Sequence, residues 1–223
     1  MATVDREKLI SSLLCVKPGL ANKEHVEHST SFVFKSSRVW TYNDMIAVSC
    51  PIDLKDVEGS VLADQFYNLL TKVSDKEVDL SIVESNLCIK GSKFNSKFAI
   101  KQGEIRLPML EIDQNSSSWI TLPKEFTNTL KFCLFSVSTD LTRLAMTCLH
   151  LSGSMVESCD NFRLTRSIVQ GGVVFPSSIL LPASSAKELI KYSPIAVLIQ
   201  DGWTHFKLDN GAVFSCRTYE GEF

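Results

Sequence analysis

The order of secondary-structure signals repeats once along the sequence, and this repetition limits the folds open to the chain. Helical, strand-like, helical and again strand-like patterns come first, and the same order begins again near residue 119. The second helix of each half starts at Ala63 and Ala183, about 120 residues apart, and the turns at 42–44 and 158–160 lie about 116 apart. A repeat of this length indicates a duplicated domain, because solenoid repeats are much shorter.

Apolar residues at helical spacing predict four helices, and alternating segments predict strands. The first helix ends before Pro18-Gly19, and Pro123 suits the first turn of the third. The predicted helices span residues 6–16, 63–74, 123–137 and 182–192. The predicted strands span residues 31–35, 38–42, 46–50, 78–83, 87–91, 97–101, 119–122, 143–151, 154–158, 162–169, 196–199, 204–208 and 212–216.

A polar, turn-rich stretch at residues 113–118 separates the two halves. Such a composition is typical of the approach to a domain boundary. We therefore predict an α+β fold of two tandem domains, residues 1–116 and 117–223.

The charge balance excludes a surface that is uniformly basic. Lys and Arg number 23 and Asp and Glu number 25, so the net charge is −2, which still permits a local basic face. The seven cysteines are odd in number and form no CxxC pair, which indicates reduced thiols in a cytosolic protein. No apolar stretch reaches the ~18–20 residues of a membrane span.

The sequence lacks the common motifs of catalysis and cofactor binding. It contains no GxGxxG, GKS/T or HExxH motif. His25 and His28 lie three residues apart, but no further ligand completes a metal site at that spacing. We therefore predict no catalytic residue, no metal and no cofactor.

Several short runs resemble the bacterial DNA polymerase III beta-subunit sliding clamp family. Residues 4–9 (VDREKL) and 61–67 (VLADQFY) are similar to the family's first helix and to the start of its second. The second half adds FSVS at 135–138, then Arg143, SCDNFRL at 158–164, and the segments 181–183, 187–189 and 217–223. Asn161-Phe162 stand where the family has Gly-His. The resemblance depends on many weak matches in the same order.

This resemblance implies domains of two helices backed by antiparallel sheet, six of which form a ring with helices lining the hole. The family has three domains per chain, and this chain ends where the second would end. A complete chain would then form a trimer, and a chain lacking a third domain would form a dimer. The diverged sequence suggests a phage or plasmid version, in the host cytoplasm or with the nucleoid.

The implied partners are double-stranded DNA, bound without sequence preference, and a DNA polymerase and clamp loader that dock through short peptides. The implied function is that of a processivity factor without catalysis. Polar residues on the solvent-facing helix stripes, mostly lysines, are the DNA candidates, with Lys23 and Arg143 added from the family pattern. They are Lys8, Lys23, Lys72, Lys76, Lys124, Asn128, Lys131, Arg143, Lys187 and Lys191. The alternative is that these are ordinary lysines on solvent-facing helix surfaces.

The run at 158–164 resembles one wall of the family's peptide pocket, whose remainder belongs to the third domain. The residues expected to contact a peptide are Met146, Asp160, Phe162, Arg163 and Leu164. The alternative is that Leu164 is a core residue and that Asp160 and Arg163 form an ion-paired turn.

Two other functions are compatible with the sequence. One is a peptide-binding adaptor of duplicated α+β domains that forms no ring. The other is a thiol enzyme built on Cys159, although no general base is evident beside it.

Overall fold

The computed structural model describes residues 2–54, 57–103, 118–171 and 173–223. The chain divides into two compact units, Met1–Ile112 and Asp113–Phe223. Helices and antiparallel sheets make up both units, which confirms the α+β prediction. The predicted boundary at residues 116 and 117 lies outside the described residues.

The first unit contains two helices and eight strands among its described residues. The helices are α1 (Arg6–Val16) and α2 (Ala63–Lys72). The strands are β1 (Ala2–Asp5), β2 (Ser31–Lys35), β3 (Arg38–Tyr42), β4 (Ile46–Pro51), β5 (Gly59–Leu62), β6 (Glu77–Val83), β7 (Asn86–Lys90) and β8 (Asn95–Ala99). They form two antiparallel arrays, β5-β2-β3-β4 and β1-β6-β7-β8.

The second unit repeats this order. Its helices are α3 (Phe126–Cys133) and α4 (Ala183–Leu189). Its strands are β9 (Ile120–Thr121), β10 (Cys148–Gly153), β11 (Met155–Cys159), β12 (Leu164–Ile168), β13 (Phe175–Pro182), β14 (Pro194–Gln200), β15 (Trp203–Leu208) and β16 (Val213–Arg217). The arrays β13-β10-β11-β12 and β9-β14-β15-β16 match those of the first unit strand for strand.

Each unit has an aromatic centre beneath a helix. In the first unit, the Phe66 ring of α2 makes edge contacts with Phe34 at 6.0 Å and Phe98 at 5.5 Å between centroids. In the second, the Phe126 ring of α3 lies 6.1 Å from Phe206 and is fully buried. These large apolar side chains hold the helices against the sheets.

A local hydrogen bond or turn precedes the first full helical turn of α1 and of α3. The Asp5 carboxylate accepts a bond from the Lys8 N–H at 2.8 Å and caps α1. The prediction that a helix starts at Pro123 was wrong, because the chain first makes a turn in which the Phe126 N–H donates to the Pro123 carbonyl. Its helical part ends at Cys133, and a short 3-10 turn follows at Leu134–Ser136.

The predicted strand at 143–151 was wrong in its first half. Residues Leu144–Thr147 form a 3-10 turn, and β10 begins at Cys148. The sequence also gave no signal for β1, β5 and β13, which add one strand each to their arrays. Such short strands depend on pairing with distant segments, and this pairing leaves little local pattern.

Candidate functional site

The two helices of each unit contact one another, α1 with α2 and α3 with α4. Lys8 lies on α1 and Lys72 in the last turn of α2, with Lys76 in the segment that follows. All three side chains are exposed. Within residues 2–54 and 57–103, none of the three lies within 4.0 Å of a carboxylate oxygen.

The second unit carries its candidates in equivalent places. Asn128 and Lys131 are exposed on α3, and Lys187 is exposed in the last turn of α4. Lys124 lies in the turn before α3, and Lys191 lies just beyond α4. Both therefore flank the helices on which they were predicted.

Lys191 differs from the other helix lysines in its charge balance. Its Nζ donates to Glu188 Oε2 at 2.7 Å, an exposed ion pair that offsets its charge locally. Lys23 is exposed in the segment between α1 and β2. Because of its ion pair, Lys191 would contribute less charge to a basic helix surface than Lys8, Lys72 and Lys131 would.

Arg143 lies next to the predicted peptide residues. Its Nη1 is 3.4 Å from Asn161 Oδ1 and 3.9 Å from Met146 Sδ. The Met146 carbonyl accepts a bond from the Ser138 N–H at 2.9 Å, which holds the half-buried Met146 in place. The structure therefore groups Arg143 with Met146 and the turn between β11 and β12.

That turn is held by the Asp160 carboxylate. Its Oδ2 accepts bonds from Arg163 Nε at 3.0 Å and Nη2 at 2.6 Å, and its Oδ1 accepts bonds from the N–H groups of Phe162 and Arg163. These donors, the Arg163 side chain first, lower the pKa of Asp160 below its usual value. An Asx turn of this kind orders the loop without any core packing.

The ordered turn presents apolar side chains to solvent. Phe162 is 94% exposed and Leu164 is 62% exposed, so Leu164 is not a core residue. The Arg163 guanidinium lies 4.8 Å from the centre of the Phe135 ring, which is itself 68% exposed. Ser136 Oγ and Thr165 Oγ1, 2.5 Å apart, tie the segment carrying Phe135 to β12.

Three further apolar residues that sequence reasoning left without a role are exposed in the same unit. They are Phe135, Leu141 and Leu144. Leu144 falls in the segment 143–151 that was predicted as a strand but begins with a 3-10 turn, and Leu141 lies just before it, so periodicity did not predict their exposure. We define the apolar surface as Phe135, Met146, Phe162 and Leu164, together with Arg163, whose guanidinium lies over the Phe135 ring. Exposed apolar residues held on an ordered backbone are typical of interaction sites.

Sequence reasoning also missed a row of polar side chains across the second unit. Glu157 is 8% exposed on β11, and its carboxylate is 2.9 Å from His150 Nδ1 and 2.7 Å from Arg166 Nε. His150 Nε2 in turn lies 2.8 Å from Ser178 Oγ. Burial raises the pKa of Glu157, but the hydrogen bonds from His150 and Arg166 outweigh it and leave the pKa lowered.

Thiol chemistry at Cys159 is disfavoured by its surroundings. Burial raises the pKa of the Cys159 thiol, and the negative charges of Asp160 and Glu157 raise it further.

His28, one of the two closely spaced histidines, contacts a hydroxyl group: its Nδ1 lies 2.9 Å from Ser60 Oγ. Across the described ranges, no three His, Cys, Asp or Glu side chains are grouped to hold a metal ion.

No helix among the described residues is long and apolar enough to cross a membrane.

Comparison with solved structures shows which fold this is. DNA polymerase III beta chain from Streptococcus pneumoniae superposes with a TM-score of 0.83 at 17% sequence identity. The matched region covers 99% of this chain and 65% of the S. pneumoniae chain. The DNA polymerase sliding clamp from Bacillus subtilis is also 17% identical with the same coverage, at a TM-score of 0.81. A Helicobacter pylori beta clamp bound to a DNA ligase peptide superposes with a TM-score of 0.80 at 13% sequence identity. The matched region covers 99% of this chain and 67% of the H. pylori chain.

The sequence matches no protein-family model and no curated protein. The chain spans 65% of the length of the S. pneumoniae and B. subtilis structures. At these identities, the likeness establishes the fold of the sliding clamps over nearly the whole chain.

Proposed function

We propose that this chain, which has the fold of the bacterial sliding clamps, acts as a clamp that encircles duplex DNA and tethers a replicative polymerase. The observation that carries the proposal is the match over 99% of the chain at TM-scores of 0.80 to 0.83. The paired helices with exposed lysines support it. The clamp acts by topology rather than catalysis, in the cytoplasm where the DNA is.

We further propose that the units are two domains, residues 1–116 and 117–223, and that six such domains close a ring. Three copies suffice if two domains are the whole chain, and two copies suffice if a third domain follows. Light scattering across a concentration range tests this. A ring of three copies has a mass of about 75 kDa, three times 24.9 kDa.

The helix lysines would hold DNA through long-range attraction to phosphates, which carries no sequence information and allows sliding. The candidate DNA residues are Lys8, Lys72, Lys76, Lys124, Asn128, Lys131, Lys187 and Lys191, together with Lys23 and with Arg143, which lies beside the apolar surface. Because its contacts are electrostatic, retention on DNA should weaken as salt rises.

A retention assay on nicked circular DNA, with a clamp loader and ATP, tests encirclement. Cutting the circle should release the bound protein, since a ring slides off a free end. The double variant Lys124→Glu/Lys131→Glu should release at lower salt than wild type. Lys90→Glu/Lys97→Glu changes the net charge equally on exposed strand positions and should behave as wild type. Equal retention on cut and intact circles, together with a persistent 24.9 kDa mass, would overturn the proposal.

We also propose that the apolar surface binds linear peptides from polymerases and loaders. A peptide with two or three apolar anchors gains affinity by burying them against exposed rings such as Phe162. The DNA ligase peptide of the H. pylori complex serves as a probe. Phe162→Ala should weaken its binding about tenfold or more, from ~1.5–3 kcal/mol for burying a Phe side chain. Ile195→Ala, 44% exposed on β14, is the control and should leave affinity unchanged.

A further inference from the structure

Three polar side chains of the second unit are linked across neighbouring strands. His150 on β10 lies opposite Glu157 on β11, because the antiparallel register pairs these two residues. On the other side of β10, His150 pairs with Leu180 of β13, and Ser178 lies two positions from Leu180. His150 Nε2 is 2.8 Å from Ser178 Oγ, and His150 Nδ1 is 2.9 Å from Glu157 Oε1. We call Ser178, His150 and Glu157 the Ser-His-Glu row.

The charge of Glu157 fixes which nitrogen of the neutral His150 ring carries the proton. Although burial opposes it, the hydrogen bonds from His150 and Arg166 leave the pKa of Glu157 lowered, so its carboxylate is ionised at neutral pH. An ionised carboxylate only accepts hydrogen bonds, so the ring holds its proton on Nδ1. Nε2 then carries a lone pair, and the Ser178 hydroxyl donates to it. A histidine in this arrangement acts as a general base on a serine.

The surroundings of His150 hold the ring in this orientation. Glu157 is 8% exposed, and its second oxygen, Oε2, accepts a hydrogen bond from Arg166 Nε at 2.7 Å. The Phe223 ring stacks on the imidazole with 4.8 Å between the ring centroids, which covers one face of it. A base held by paired strands, a fixed carboxylate and a stacked ring needs little reorganisation before it takes a proton.

A bulge in β13 brings the serine to the surface. The register of β10 and β13 shifts beyond Leu151, so that Ser152 alone opposes residues 176–178 of β13. A bulge of this kind alters the direction in which side chains leave the sheet. Ser178 is exposed, whereas the His150 side chain is only 14% exposed. A molecule in solution can therefore reach Ser178 while the base behind it is largely shielded from water.

We infer that Ser178 is a nucleophile that activated esters acylate, with His150 as its general base and Glu157 as the residue that orients the base. Ser178 Oγ attacks the ester carbonyl carbon and passes its proton to His150 Nε2. The bond to the leaving oxygen then breaks, and the alcohol leaves with that proton. Water next attacks the acyl-serine through the same base, the carboxylic acid leaves, and the proton returns to Ser178 Oγ. One ester and one water thus give one acid and one alcohol.

Activated esters such as aryl esters are the substrate class that this row suits. Their leaving group is stable as an anion, so the site has to supply little beyond a nucleophile and a base that takes its proton. Neither ring formation nor DNA binding enters this chemistry. Purified full-length chain without loader or DNA is therefore sufficient to test it.

A fluorophosphonate probe tests the nucleophile in the wild-type chain. Attack by a serine forms a P–O bond, releases fluoride and leaves a stable adduct, which digestion and mass spectrometry assign to a residue. The expected adduct is on Ser178. Ser177, an exposed serine in the same bulge, is the internal control and should stay unmodified. Absence of an adduct on Ser178, or equal modification of Ser177, would overturn the inference.

Glu157→Gln tests the orienting role by the rate at which the probe modifies Ser178. The amide oxygen would accept from Arg166, so its NH₂ group would donate to His150 Nδ1 and leave the proton on Nε2, where it blocks the base. The rate should fall about 100-fold or more, the lower end of what general-base catalysis contributes. A structural role of the row would leave the rate unchanged, and an unchanged rate would contradict the assignment of base and orienting residue.

Hydrolysis of p-nitrophenyl acetate tests turnover with matched variants. The initial burst of nitrophenol should be lost in Ser178→Ala and kept in Ser177→Ala, which has the same background reaction with surface lysines. Both substitutions replace an exposed hydroxyl, so both chains are expected to fold. Equal bursts from the two variants would mean that Ser178 is not the nucleophile.

Discussion

Mild acid should destabilise the second unit through His205. This ring lies on β15 with 3% of its surface exposed, and its Nδ1 is 2.8 Å from Ser215 Oγ. Burial lowers the pKa of His205 from 6.5 to about 4, although the Asp201 charge acts in the opposite direction. The folded chain therefore keeps the ring neutral at pH values where the unfolded chain protonates it.

The size of the effect follows from these two pKa values. Between pH 6.5 and about 4 the unfolded state binds more protons, so the free energy of unfolding falls as pH falls. The contribution of the neutral His205 ring to stability is fully present above pH 6.5 and is lost as the pH falls towards the folded-state pKa of about 4. The loss between pH 7.5 and 5.0 is about 2 kcal/mol, and the full difference is about 3 kcal/mol.

Urea denaturation at pH 7.5 and 5.0, followed by the fluorescence of Trp203 and the other tryptophans, measures this loss. Carboxylates elsewhere also protonate, so the wild type is compared with His205→Gln, in which their contribution is the same. The wild type should lose about 2 kcal/mol more than the variant over this interval. An equal loss in both proteins would refute the reasoning, because it would mean that His205 is protonated as readily in the folded as in the unfolded chain.

Three other substitutions test the packing and the apolar surface by the same denaturation measurement. Glu157→Ala should lower the free energy of unfolding by about 2 kcal/mol, because His150 and Arg166 lose a shared charged acceptor. If Glu157→Gln restored that stability, the charge of Glu157 would be shown to be unimportant for folding. Phe66→Ala should cost about 3–5 kcal/mol by leaving a cavity between two aromatic rings, and a cost below 1 kcal/mol would contradict that packing. Phe162→Ala should change the free energy of unfolding by less than about 0.5 kcal/mol, since its ring is almost fully exposed, and a larger loss would mean that it packs in the core.

The parts of the fold that follow local rules could be predicted from the sequence. The first, second and fourth helices begin within one residue of their predicted starts, because apolar stripes act over a few positions, and Asp5 caps the first helix in addition. The turns after β3 and β11 are equivalent in the two units, as their spacing predicted. The predicted start of the third helix was wrong because the turn after Pro123 depends on hydrogen bonds that sequence periodicity does not show.

The candidate DNA residues on or beside the helices were predictable as exposed positions, but the surroundings of Arg143 were not. Its contact with Asn161 joins residues 18 positions apart on different loops. The same limit applies to Phe162, whose exposure depends on a turn ordered by Asp160 rather than on any apolar pattern.

The sequence by itself determined the duplicated order of elements and which helix faces carry lysines, because both depend on residues a few positions apart. The tertiary structure decided which distant side chains meet. Glu157 on β11 meets His150 on β10 and Arg166 on β12 through strand pairing, and Arg143 meets Asn161 across two loops. Burial and neighbouring charge set the reactivity and stability of such groups, and both exist only once distant segments have come together.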